Sequence, residues 1–204
     1  MVPLNALRTT LAAAAAVALM APDASAQQAW SGLSPQVQIR LAVQAAPQEM
    51  RDSATVQGYD ASGRFVTLRR GSNDLICMAP NPASEQLEVS CHHVGLEPFL
   101  ARGRELAAQG VTGQDRVTAR WKEYEEGKLT IPYGSINYIL TGTGFDAATG
   151  ALEGAYLRWV VYTPMATPAT TGITEKPSPG GPWLMMSGTP GSHIMITPPR
   201  GGGR

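Results

Sequence analysis

Leu75-Ile76-Cys77-Met78-Ala79-Pro80-Asn81-Pro82-Ala83-Ser84-Glu85-Gln86-Leu87-Glu88-Val89-Ser90-Cys91 is the stretch on which the fold turns. Two β-prone runs, Leu75 to Met78 and Leu87 to Cys91, flank a loop rich in proline and polar residues, the pattern of a hairpin. A hairpin symmetric about Ser84 sets Cys77 opposite Cys91. Directly opposed residues in an antiparallel pair have Cα atoms about 4.5 to 5.5 Å apart, within the reach of a disulfide. These are the only two cysteines of the chain, and the thirteen residues between them are far from the spacing of a zinc knuckle. One intradomain disulfide is therefore expected.

Upstream, Ala54-Thr55-Val56-Gln57-Gly58-Tyr59 and Arg64-Phe65-Val66-Thr67-Leu68 are two further β-prone runs. Asp60-Ala61-Ser62-Gly63 and Gly71-Ser72-Asn73-Asp74 punctuate them as turns, so the four strands read as an antiparallel meander. Before them, Ser34 and Pro35 have the residue types of a helix cap and first turn, and Gln36 to Val43 is expected to be helical until Pro47 ends or restarts it. Downstream, Leu96, Phe99, Leu100, Gly103, Leu106 and Ala107 recur at helical spacing, with Pro98 in the first turn and Gly110 as a stop. A second helix is expected from Thr112, where Asp115 suggests a capping box with a shorter acid, to just before Gly127, with Val117, Trp121 and Tyr124 on its inner face. So short a link predicts a helical hairpin packed on the sheet.

The last third returns to strands at 135–140, 156–162, 183–186 and 193–196, each bounded by glycine or proline. The expected fold is α+β, a mostly antiparallel sheet with a helical hairpin packed on it. A Pro/Thr/Gly-rich stretch from Thr163 to Pro182 reads as a long surface loop or the cover of an active site.

At the N-terminus, Arg8 is the only charge before the apolar run Leu11 to Met20, which leads to Ala24-Ser25-Ala26. That order is a signal peptide's, and the run is too short for a membrane span of about 20 residues. The expected organisation is a signal peptide over 1–26, a single domain over 27–197 and a disordered tail over 198–204. A mature chain starting at Gln27, with no membrane span, would be periplasmic or extracellular, where a disulfide persists. The 16 basic and 16 acidic residues balance, so the charge gives no reason to expect nucleic acid as partner.

Ala45-Ala46-Pro47, Arg70-Gly71-Ser72-Asn73-Asp74, the two cysteines, Arg104-Glu105-Leu106, Ile136-Asn137-Tyr138-Ile139-Leu140 and Gly188-Thr189-Pro190-Gly191-Ser192-His193-Ile194-Met195-Ile196 together resemble a family of exported bacterial proteins without an assigned activity. The resemblance runs over most of Ile39 to Ile196. It implies export and the disulfide, and it carries over no catalytic residue. Family members can have other residues where this chain has His92-His93, so no shared histidine mechanism is implied.

Candidate chemistry is sparse. His92, His93 and His193 are the only histidines and could ligate zinc or copper, but on one strand His92 and His93 point to opposite faces. His193 with Met185, Met186 and Met195 would suit copper, although methionines on apolar strands also serve as core filler. A hydrolytic trio would need Ser187 or Ser192 with His193 and Asp74 or Glu97, and Gly191-Ser192-His193 is no nucleophile elbow. Gly142-Thr143-Gly144 lacks the third glycine of a dinucleotide loop and reads as a turn. Arg69, Arg70, Arg102 and Arg104 read as solvated faces. Trp121, Tyr124, Tyr138, Trp159, Tyr162 and Trp183 either line an apolar pocket or build the core. The sequence thus favours a non-enzymatic domain, without a cofactor, that binds a small molecule or an envelope protein. The alternative is a metal-dependent or histidine-assisted enzyme using His92, His93 or His193.

Overall fold

The computed structural model describes residues 30 and 32–199, so the expected signal peptide lies outside the described residues. The elements follow in the order α1 (Pro35–Ala42), β1 (Thr55–Tyr59), β2 (Phe65–Arg69), β3 (Leu75–Met78), β4 (Leu87–His93), α2 (Glu97–Ala108), α3 (Gly113–Glu125), β5 (Ile136–Gly142), β6 (Gly144–Phe145), β7 (Leu152–Glu153), β8 (Tyr156–Tyr162), α4 (Pro168–Thr171), β9 (Pro182–Met185) and β10 (His193–Ile196). Eight strands form one sheet in the order β2-β1-β3-β4-β5-β8-β10-β9, and β6 pairs with β7 in a separate ribbon. Every pairing is antiparallel except β1 with β3, so the fold is α+β with a mostly antiparallel sheet.

Cys77 pairs with Cys91 across the β3–β4 ladder, and their sulfurs are bonded at 2.04 Å. The expected meander, by contrast, is corrected. Strand β3 does not follow β2 but returns to the other side of β1 and runs parallel to it. Gly71 makes that crossing possible. A Cβ at Gly71 would overlap the backbone of Ser53, Ala54 and Thr55, so the chain can cross the start of β1 only with glycine there. The amides of Ser72 and Asn73 then donate to Ser53 O, and the Asn73 side chain donates to Met50 O and accepts from the Leu75 amide.

Strand alternation splits the sheet into two faces. Val56, Cys77, Val89, Cys91 and Leu140 pack with Leu41, Ala42, Ala45 and Ala46 of the N-terminal helical segment. Ser34 accepts from the Val37 amide as the cap of α1. The opposite face carries the α2–α3 hairpin over a smaller cluster of Leu96, Phe99 and Ile131, against which Leu100, Tyr124, Leu129 and Tyr162 pack. Arg102 clamps the hairpin with paired hydrogen bonds of 2.8 to 3.0 Å to the Glu123 carboxylate. Thr112 makes no side-chain capping bond, so the expected capping box is absent from α3, and α3 buries no residue fully.

One further expectation changes. Gly142 and Gly144 are not a turn: they end β5 and begin β6, and their missing side chains let Glu153 approach. The stretch from Thr163 to Pro182 is held by backbone hydrogen bonds, among them Thr163 N to Ser192 O, Gly188 N to Ala166 O, Leu184 N to Thr174 O and Gly180 N to Thr197 O. Within it, Thr167 caps the single helical turn α4. Pro198, expected to open the tail, accepts a hydrogen bond from the Tyr156 hydroxyl, and residues 200–204 lie outside the described residues.

Candidate functional site

The histidines lie apart. His92 and His193 both face the hairpin side of the sheet, but β5 and β8 separate their strands, which is three strand spacings or about 14 Å. His92 is fully buried, and its Nε2 donates to Glu97 at 2.8 Å. His93 lies one residue along the strand, and its Nδ1 accepts from the Gly95 amide. His193 donates from Nδ1 to Gly191 O at 2.7 Å, and burial pulls its pKa below the ordinary histidine value although that hydrogen bond opposes the shift. Met185 lies opposite His193 in the ladder, Met195 is buried on β10, and Met186 is exposed with φ +56°. Among the described residues, no three His, Cys, Asp and Glu side chains gather into a metal-binding group.

The hydrolytic trio is not assembled either. Ser192 is fully buried with its hydroxyl donating to Ala166 O, and Glu97 is bound to His92 and Arg104 rather than to His193. The aromatic set is dispersed: Tyr138 packs in the α1 core, Tyr124 and Tyr162 in the hairpin core, and Trp121 beside His193 in a small pocket.

The arginines expected on solvated faces are largely engaged. Arg69 donates to the carbonyls of Arg51 and Ala54, Arg102 holds Glu123, and Arg104 holds Glu97. Burial pushes the Glu97 carboxyl up, but the hydrogen bond from His92 and the Arg104 charge outweigh it and hold the carboxyl below its ordinary value. The Arg104 guanidinium also lies 4.9 Å from the centre of the Phe65 ring and 3.7 Å from the Met78 sulfur.

Arg104 forms one wall of the feature that stands out, a cleft of about 710 Å³ between the hairpin and the sheet. Its floor comes from β1 to β5 through Tyr59, Phe65, Met78, Ser90 and Asn137, and its roof from α2 and α3 through Leu100, Gly103, Ala107, Arg116 and Arg120. Arg116 and Arg120 are one helical turn apart, so both project from the same side of α3. Among the described residues, neither has a carboxylate within salt-bridge distance. The Arg120 guanidinium lies 4.3 Å from the centre of the Phe99 ring and against Gly103, where a Cβ would be 3.0 Å from its Nη1. Burial pulls its pKa down and the Arg116 charge adds to that, with only Tyr162 opposing.

Two buried polar atoms of the cleft residues have no partner: Asn137 Oδ1 from the floor and Arg116 Nε from the roof. Asn137 is only 9% exposed. Such orphans cost roughly 1 to 3 kcal/mol each unless a further molecule satisfies them.

A second cleft, of about 630 Å³ between α1 and the β1–β2 turn, differs in this respect. Its buried polar side chain, Gln38, donates to Leu33 O and Tyr59 O and accepts from the Tyr59 amide, so it is fully occupied within the fold. The hairpin cleft is therefore the candidate site.

No family model, curated protein or solved structure matches the chain. The site was missed in the sequence because Arg116 and Arg120 have the spacing of any solvated helix face. Arg116 and Arg120 have no Asp or Glu four residues before or after them, but Glu123 stands three residues after Arg120, and only the fold shows that Arg102 takes it.

Proposed function

We propose that this chain is an exported, disulfide-stabilised binding protein that holds a small molecule in the cleft between the α2–α3 hairpin and the sheet. The observation that carries the reading is the pair of orphaned buried atoms, Asn137 Oδ1 and Arg116 Nε, which belong to residues of the floor and of the roof of one cleft. A volume of about 710 Å³ is in the range that accommodates a small organic ligand. Glu97 is bound to Arg104 and His92, which suits holding charge in place rather than transferring protons, whereas burial outweighs the Arg158 charge and pushes the Glu88 carboxyl above its ordinary value. Export is supported by the order of Arg8, the apolar run Leu11 to Met20 and Ala24-Ser25-Ala26, by a disulfide that an oxidising compartment preserves, and by the resemblance to exported bacterial proteins.

Two measurements test it. The mass of the protein recovered from the periplasm is expected to correspond to a chain starting at Gln27, and retention of Met1 would remove export. Thermal shifts against a chemically varied set of acids, sugars and amines are expected to show stabilisation of the wild type that is lost in Ala107→Trp, which fills the cleft. Equal shifts in the two proteins would move the site elsewhere.

A further inference from the structure

We infer that the molecule held in this cleft is an amphipathic organic anion, its carboxylate or phosphate head seated between Arg116 and Arg120 and its apolar body on Tyr59, Phe65, Met78 and Leu100. The inference rests on the cleft being the binding site and adds the chemical class of its occupant.

Charge decides the head. Of the arginines at the cleft, Arg104 is paired with Glu97, and nearby Arg158 is paired with Glu88, whereas Arg116 and Arg120 have no acid. Two partly buried guanidiniums on one helix face repel each other; Tyr162 and the Phe99 ring offset this in part for Arg120, but among the described residues no carboxylate pairs with either. A planar anion accepting from both forks supplies what is missing, including an acceptor for Arg116 Nε.

The lining decides the body. Two aromatic rings, a thioether and a leucine line the same cleft, with the Arg104 guanidinium against Phe65 and Met78, and inorganic phosphate alone would leave this apolar lining uncovered. Asn137 Oδ1, the second orphan, calls for a hydrogen-bond donor on the ligand. Gly103 keeps the roof open at this point, because any side chain there would push into the Arg120 guanidinium.

The test is titration calorimetry of the full mature protein with four probes: 3-phenylpropanoate, its methyl ester, phenyl phosphate and inorganic phosphate. At least one aromatic anion is expected to bind at least about tenfold more tightly than the ester, equivalent to about 1.4 kcal/mol. The same anion is expected to lose at least about tenfold in Arg116→Met/Arg120→Met. Which of the two aromatic anions binds more tightly identifies the head. Asn137→Leu, which removes an orphaned atom and so should fold at least as stably as wild type, separates loss of binding from loss of structure.

Ester and acid binding equally, both blocked by Ala107→Trp, would overturn the anion and leave the cleft as the site. Inorganic phosphate binding as tightly as phenyl phosphate would overturn the apolar body. No binding by any probe would overturn the inference. Binding of an anion unchanged in both the arginine variant and Ala107→Trp would overturn the inference and the cleft together.

Discussion

Gly71 bears more of the topology than its size suggests. The chain from β2 to β3 crosses the start of β1 there, against the Ser53 to Thr55 backbone, and the parallel pairing of Val56 with Cys77 depends on that crossing. Gly71→Ala is expected to destabilise the protein by about 3 kcal/mol, because backbone cannot move aside as a flexible side chain can. Urea unfolding would measure it, and a loss under ~1 kcal/mol would mean that the crossing has slack. His193 sets a pH dependence at the same scale. Its folded pKa lies below the ordinary 6.5, so the unfolded chain takes up a proton first as the pH falls. Stability is therefore complete above about pH 6.5 and declines below it until the folded histidine is itself protonated. His193→Gln is expected to flatten the unfolding midpoint between about pH 6.5 and 5, and an unchanged slope would assign the dependence to other groups.

Elements were legible in the sequence where their signals were local. Tyr156–Tyr162 and His193–Ile196 have the expected bounds, since glycine or proline stands near each end, and Ser34 with Pro35 marks the start of α1. The Cys77 to Cys91 pairing was legible from hairpin symmetry and from their being the only two cysteines of a chain expected in an oxidising compartment. The parallel crossover was not, because Gly71-Ser72-Asn73-Asp74 has the composition of any turn, and the contact of Gly71 with residues 53–55 is tertiary. The site was illegible for a related reason: an unpaired arginine differs from a solvated one only in what surrounds it, and the floor beneath Arg116 and Arg120 comes from strands distant in sequence. The disulfide closes a loop of about 15 residues between two central strands, and its removal in Cys77→Ala/Cys91→Ala is expected to cost about 3 kcal/mol. Denaturation of the reduced wild type beside the double variant would check it, since the two should then differ little. A large difference between them would assign the loss to packing of the cysteine side chains instead.

Across the whole molecule, the two layers on the sheet are held unequally. On one face Leu41 and Ala42 of α1 are fully buried against Val56, Cys77, Val89 and Cys91. On the other, α3 has no fully buried residue and is held by the Arg102 clamp to Glu123, by partial packing around Phe99 and Leu96, and by Trp121 beside Gly191 and His193. Local opening free energy follows buried apolar contact, so the hairpin should open well below the energy of global unfolding while α1 and β4 do not. Hydrogen exchange is expected to show the amides of α3 exchanging at least tenfold faster than those of β4, at a pH and temperature where the protein is fully folded. An anion bridging Arg116 and Arg120 to the sheet would tie the loose layer to the rigid one, so protection should rise in α3 and stay constant in β4 when such a ligand is added. If α3 were as protected as β4 without ligand, the roof of the cleft would be fixed, and entry to the site would have to pass through its open side with the hairpin in place.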